Sequence, residues 1–422
     1  MIITDRLSNG MQVVAEPMEG VRSVAIGIWI PAGPVYEGPN EGGISHMIEH
    51  MLFKGTDNRT AKEIAGEMDG LGGNLNAFTA KECTCYYAKV LDEHLGQAVD
   101  ILQDLVQHPR LAPDDLAREQ GVVCEEILMV EDSPEELVHE LLGGAMYGES
   151  PLARPILGSQ ESVRSFTPES LQAYMARRYQ LGDMVVACAG RVQMQALMPL
   201  LEAAFCGEGQ HSEKGQVDMP ASELVAARRF VAAQKDVEQA HICLGFPGFP
   251  TDTKEQFALY VLNNALGGSM SSRLFQHIRE ERGMAYSVYS YPSGYSGTGY
   301  FALYAGTEGK QGALVAELML QEARRMREQG LTVDEFQRAK EQLKGSYMLG
   351  QESTSARCSA IGRSMLMRGY AREEDEMLNR IAGVRMEDVE AILPYVLDEN
   401  RMVAAVVGRQ TIHAQIRQAI GM

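Results

Sequence analysis

The chain reads as an α+β protein of two homologous domains, each built on a largely antiparallel sheet. Three observations predict this. Its 422 residues exceed what one hydrophobic core usually serves. Its two halves echo one another. Its apolar segments of period two come in groups rather than in strict alternation with helical ones.

The echo is weak but ordered. Leu111-Ala-Pro-Asp114-Asp115-x-x-Arg118 is matched 220 residues later by Leu331-Thr-Val-Asp334-Glu335-x-x-Arg338, each reading as a helix start. Met184-Val-Val-Ala-Cys-Ala-Gly190 is matched 218 residues later by Met402-Val-Ala-Ala-Val-Val-Gly408, each reading as a buried strand ended by glycine. Gly207 to Gly215 is polar and glycine-rich, as a flexible connection should be. The sequence therefore predicts domains over 1–206 and 220–422 with a linker at 207–219.

Within the halves, Val24 to Ile30 alternates as a strand does. Glu169 to Arg178 and Gln256 to Leu266 carry helical periodicity, the first announced by Thr167 as a cap and Pro168 at the first helical position. Neither Leu71-Gly72-Gly73-Asn74 nor Gly267-Gly268 continues as a phosphate-binding loop does.

Composition narrows the function. A formal charge of −19 argues against nucleic-acid binding, which needs clustered Lys and Arg. The same charge, if it faces a cavity, would favour basic peptides. No run is long and apolar enough to span a membrane, and Met1 to Val14 lacks the pattern of an export signal, so a soluble cytoplasmic protein is expected. Seven cysteines without a C-x-x-C pair suit buried thiols in a reducing compartment.

Chemistry concentrates in His46-Met47-Ile48-Glu49-His50, which reads as helix with Ser45 as its cap. Residues four apart share a helix face, so His46 and His50 can present two imidazoles to one ion, with Glu49 bordering that face. The opposite side is apolar, so the polar groups need a partner, and a metal is one. A bare His-x-x-x-His more often marks a structural helix; the full H-x-x-E-H pattern, the reverse of the zincin motif, shifts the reading to metal. A third protein ligand is then required. On the helix expected over Asp114 to Val130, Glu119 and Glu126 fall on the apolar stripe of Leu116, Val123, Ile127 and Val130, while Glu125 points away. Glu126 is assigned as the ligand and Glu119 as its partner.

These residues, together with His50-Met-Leu-Phe-Lys-Gly-Thr56, Gly72-Gly-Asn-Leu-Asn-Ala-Phe-Thr79, Tyr86-Tyr87-Ala88 and Arg279-Glu-Glu-Arg-Gly-Met-Ala-Tyr286, resemble the inverzincin peptidases related to pitrilysin, insulin-degrading enzyme and mitochondrial processing peptidase. The likeness spans essentially the whole chain and is nearest to two-domain bacterial relatives of the processing-peptidase β subunit. It implies domains with helices packed on one sheet face, one Zn2+ per chain, and hydrolysis of unfolded or short peptides within a closed chamber. Glu49 would be the base that takes a proton from water acidified by the metal, and Glu119 would act behind the ligands. Asn76, Ala77 and Phe78 match the family segment that binds extended substrate along a strand edge. Arg279 and Tyr286 match its Arg and Tyr pair that holds substrate. Because both the metal motif and this pair are present, the resemblance implies a homodimer with composite sites. The alternative is a noncatalytic peptide-binding or scaffold subunit.

Overall fold

Strand β3 (Ser23–Ile30) sets the architecture of the first half, because both of its faces are apolar. Val24, Ile26, Ile28 and Ile30 enter one core, whereas Ala25 and Trp29 enter another. A strand buried on both sides must lie inside a sheet covered twice. The computed structural model describes residues 1–206, 224 and 227–422. The linker expected at 207–219 lies outside the described residues.

The strands are β1 (Ile3–Arg6), β2 (Gln12–Pro17), β3, β4 (Asn74–Thr79), β5 (Thr84–Leu91), β6 (Val185–Gly190), β7 (Arg229–Gln234), β8 (Gln239–Pro247), β9 (Ala285–Gly294), β10 (Gly299–Glu308) and β11 (Val403–Gly408). They form a six-stranded sheet of order β1-β2-β6-β3-β5-β4 and a five-stranded sheet of order β7-β11-β8-β10-β9. Each sheet is antiparallel except for one pair, β2 with β6 and β7 with β11. Omitting β1, the two orders coincide strand for strand, which is the tertiary form of the sequence echo. Among the described residues β4 is an edge strand, paired only with β5.

Contacts divide the chain into two units. The first comprises Met1–Ile127, the described part of Arg154–Pro220 and Met348–Glu374; the second comprises Leu128–Ala153, the described part of Ala221–Tyr347 and Asp375–Met422. In the first unit, helices Ile44–Leu52, Leu95–Gln107, Pro113–Asp132, Pro168–Arg178 and Met194–Phe205 supply the core on one sheet face. Helix Thr354–Arg368 covers the other face with Cys358, Ile361 and Met365. In the second unit, Leu142 and Met146 of helix Pro134–Tyr147 close on Gly245 of β8. Each unit thus takes one covering helix from the opposite half of the sequence.

Local chemistry explains the element ends. Thr60 opens helix Ala61–Gly70 with a full capping box to Glu63. Thr167 does the same for Pro168–Arg178, with Ser170 completing the box and Pro168 in the first turn. Among the described residues, no helix is long and apolar enough to cross a membrane.

The covering helix of the first unit comes very close to the sheet. A Cβ on Gly362 would lie 2.1 Å from Trp29 Nε1, and Trp29 is only 2% exposed. Gly362→Ala is expected to cost about 1–3 kcal/mol through overpacking. Gly66→Ala, in helix Ala61–Gly70 with nothing within 4 Å of the added carbon, should be neutral or stabilising. Urea unfolding of the two variants side by side checks the contrast.

Candidate metal centre

The centre is built on helix Ile44–Leu52, and the start of that helix differs from the sequence expectation. Ser45 is not the cap. The helix begins at Ile44, and Gly43, at φ 87°, occupies the N-cap position with no side chain to cap it. A Cβ on Gly43 would stand 2.4 Å from the Leu157 carbonyl oxygen, so space as well as conformation requires glycine. With no side chain at the cap, the buried N–H groups need another acceptor. Glu37 supplies it: its carboxylate accepts from the Gly43 N–H at 3.0 Å and the Ser45 N–H at 3.1 Å. The Ser45 hydroxyl instead pairs with the Tyr174 hydroxyl at 2.8 Å.

From this anchored start, His46 and His50 fall on one face and meet helix Pro113–Asp132. His46 Nε2 lies 3.7 Å, and His50 Nε2 3.5 Å, from the same Glu126 Oε2. Both exceed hydrogen-bond range, yet one donor atom from each of the three residues lies within 4.8 Å of the others. Among the described residues this is the one such group of His, Cys, Asp or Glu. A tetrahedral zinc with bonds of about 2.0–2.1 Å holds its ligands roughly 3.3 Å apart, and the two contacts to Glu126 stand close to that spacing. Two imidazoles and a carboxylate also suit that ion chemically.

The surrounding groups are placed for support. Glu119, two turns before Glu126 and 5% exposed, is 3.0 Å from His50 Nδ1 through Oε2. With a carboxylate accepting at Nδ1, the lone pair of His50 sits on Nε2, facing Glu126. His46 Nδ1 is buried without a hydrogen-bond partner among the described residues. Glu49, one turn from His46, accepts from the Thr79 hydroxyl at 2.5 Å. Thr79 ends edge strand β4, so this bond ties the helix to the strand.

The remaining predicted positions lie on two surfaces. Asn76, Ala77 and Phe78 run along β4, where the Ala77 N–H is taken by Asn76 Oδ1 at 2.8 Å. Phe78 stacks edge-on against Trp29, with centroids 5.6 Å apart. Arg279 and Tyr286 belong to the second unit. The Arg279 guanidinium lies 4.6 Å from the Phe275 ring centroid and 4.9 Å from that of Tyr286, and Nη1 donates to the Tyr286 carbonyl at 2.9 Å. Tyr286 is 82% exposed. Glu37 and Thr79 were not among the predicted site residues. Thr79 closed a motif already singled out; Glu37 left no local signal, since it caps from outside the helix.

Burial tunes two groups. Desolvation, with a smaller contribution from the neighbouring His50, lowers the His46 pKa to about 4. Desolvation raises the Glu49 carboxyl above its ordinary range, against the lowering effects of Thr79 and His50. For His46 the folded pKa is depressed, so the unfolded chain binds the extra proton more readily and acid favours unfolding. The metal-free protein should therefore lose about 3 kcal/mol of stability as pH falls from about 6.5 through 4. Urea titrations across that window, with His46→Gln as the flattened control, measure it.

Comparison with known proteins matches two successive segments of the chain. Residues 12–160 match the insulinase family model, peptidase family M16, and residues 165–343 match the model described as the peptidase M16 inactive domain. A Bacillus subtilis protein named as an uncharacterized zinc protease is 42% identical over 401 residues, covering 94% of this chain and 96% of its own. One from Streptomyces coelicolor, also named as an uncharacterized zinc protease, is 41% identical over 401 residues, covering 93% and 86%. Among solved structures, a protease from Helicobacter pylori has a TM-score of 0.88 at 19% identity, covering 96% of this chain and 99% of that one. A Pseudomonas fluorescens structure described as a peptidase M16 inactive domain also scores 0.88, at 21% identity, covering 97% and 98%. These two likenesses establish the fold, the mixed sheet-and-helix architecture of the M16 peptidases. His46, His50, Glu119 and Glu126 all fall in the 12–160 segment, and with near-complete coverage by relatives at this identity, the chain belongs to the insulinase (M16) family of peptidases.

Proposed function

We propose that this protein is a zinc endopeptidase acting on unfolded or short peptides, with one metal per chain held by His46, His50 and Glu126. The observation that carries this reading is the convergence of two imidazole Nε2 atoms on one Glu126 oxygen beside a general-base candidate, Glu49. Relatives covering nearly the whole chain bear the name zinc protease, in agreement. When bound, zinc supplies Lewis acidity that polarises a carbonyl and acidifies water.

The chain's own residues do the rest. Glu49 takes the proton of the attacking water and can return it to the leaving amine; its burial, which raises the carboxyl, suits a group that must also give the proton back. Glu119 fixes the His50 ring. The edge of β4 at Asn76, Ala77 and Phe78 offers backbone pairing to an extended peptide once Asn76 Oδ1 releases the Ala77 N–H, which favours unfolded substrates over any particular sequence. Arg279 and Tyr286 donate to substrate oxygen, and Arg279 is already oriented by two aromatic rings. We further infer a homodimer in which this pair reaches the metal centre of the partner chain, closing a chamber around the peptide. Seven free cysteines, six of them buried, fit a cytoplasmic setting.

Glu49→Gln should lower kcat by about 10²–10⁴-fold while keeping its zinc. His46→Ala should lose the metal itself. Both are read by turnover of a quenched unstructured peptide together with metal analysis. Failure of the zinc-loaded wild type to cleave any member of a broad peptide library would end the peptidase reading. For the dimer, mixing Glu49→Gln chains with Arg279→Ala/Tyr286→Ala chains should restore about a quarter of wild-type activity, since half the dimers then hold one intact composite site. Silence in a mixture shown to contain heterodimers would exclude sites shared between chains.

A further inference from the structure

The turn Lys54-Gly55-Thr56 directly follows the metal helix and contributes none of the groups assigned above. It is nevertheless fixed from several directions. Gly55 has φ 125°, and a Cβ there would lie 3.1 Å from both Arg110 Nη2 and the Arg59 carbonyl oxygen. The Lys54 carbonyl accepts from Arg110 Nη2 at 3.2 Å, and the Gly55 carbonyl accepts from the Arg110 N–H at 3.1 Å. Thr56 donates its hydroxyl to the buried Asp104 at 2.7 Å and accepts from the Arg59 N–H at 2.8 Å. Arg59 in turn binds Asp104 at 2.8 Å.

On this fixed turn, the Lys54 side chain reaches Glu119. Its Nζ lies 2.8 Å from Glu119 Oε1, while Glu119 Oε2 faces His50 Nδ1 at 3.0 Å. The carboxylate is therefore held at both oxygens, one by an ammonium and one by a metal-ligand candidate. We propose that Lys54 is a positioning residue of the metal centre: it holds Glu119 in the orientation that accepts at His50 Nδ1, so that His50 Nε2 faces His46 and Glu126. This rests on the assignment of those three residues as ligands. Each residue of Lys-Gly-Thr then has a physical role, the threonine anchoring the turn, the glycine making it and the lysine reaching the carboxylate.

A stabilising surface ion pair is the competing explanation, and the two differ in what they predict. Glu119 is buried, so loss of the lysine can also cost folding stability, and stability alone does not separate the two explanations. Charge alone also gives the opposite sign for metal binding, because deleting an ammonium near a dication should tighten its binding. Positioning demands that the deletion weaken it.

The test measures zinc affinity by chelator competition at fixed pH on the full-length wild type, Lys54→Met, Lys54→Arg, Glu119→Gln and the Lys54→Met/Glu119→Gln pair, with His46→Ala as the ligand control. Lys54→Met is expected to weaken zinc by about 10–100-fold in protein whose urea midpoint shows that it remains folded without the metal. Lys54→Arg should recover most of the loss. In the Glu119→Gln background the Lys54→Met penalty should vanish, because the lysine acts only through that carboxylate. Cobalt(II) in place of zinc should show altered ligand-field bands in Lys54→Met. Wild-type affinity in Lys54→Met, or an undiminished penalty in the Glu119→Gln background, overturns the proposal while leaving the metal reading intact. If the wild type itself binds no zinc and His46→Ala changes nothing, both fall.

Discussion

A carboxylate at 5% exposure has to be met by donors, and Glu119 is met by His50 and Lys54. That contact joins helix Ile44–Leu52 to helix Pro113–Asp132 at residues 69 positions apart. Much of the centre depends on it, because Glu126 lies two turns further along the same helix and is delivered by the same docking. At its other end the metal helix is held by Glu37, which supplies the acceptor that Gly43 cannot. Two buried carboxylates, one at each end, thus fix the helix whose middle carries His46, Glu49 and His50.

The sheet beneath this centre is set by the need to cover apolar surface. β3 is buried on both faces, and the second cover, helix Thr354–Arg368, comes from far along the chain. The second unit meets the same need with helix Pro134–Tyr147, but with polar chemistry. His139 of that helix pairs through Nδ1 with the Tyr291 hydroxyl at 2.7 Å and through Nε2 with that of Tyr289 at 3.1 Å. His241 Nδ1 pairs with the Tyr304 hydroxyl at 2.9 Å. Burial lowers the pKa of both histidines, and the His139 ring is engaged at both nitrogens. A shared strand order therefore carries an apolar interface in one unit and a hydrogen-bonded aromatic one in the other.

The same order of strands leads to different equipment at the sheet edge. β4 ends on Thr79, bonded to Glu49, whereas β9 carries Tyr286 in its second position and follows Arg279, which is held between Phe275 and Tyr286. Duplication of a fold need not duplicate its chemistry. The segment described for the family as inactive, residues 165–343, holds none of the three converging donors but does hold the Arg and Tyr pair.

Much of this was legible in the sequence because the signals were local or strictly spaced. Histidines four apart must share a helix face, and Glu119 and Glu126, seven apart, must share a stripe; the helices found at Ile44–Leu52 and Pro113–Asp132 put them there. Thr167 and Pro168 announced their helix because capping is a contact between near neighbours. What the sequence could not decide were contacts between segments with no common period: Glu37 rather than Ser45 serving the metal helix, Lys54 meeting Glu119, Thr79 meeting Glu49, and covering helices that come from opposite halves of the chain. Composition makes such polar groups available. Only the packing that removes them from water forces each to find its particular partner.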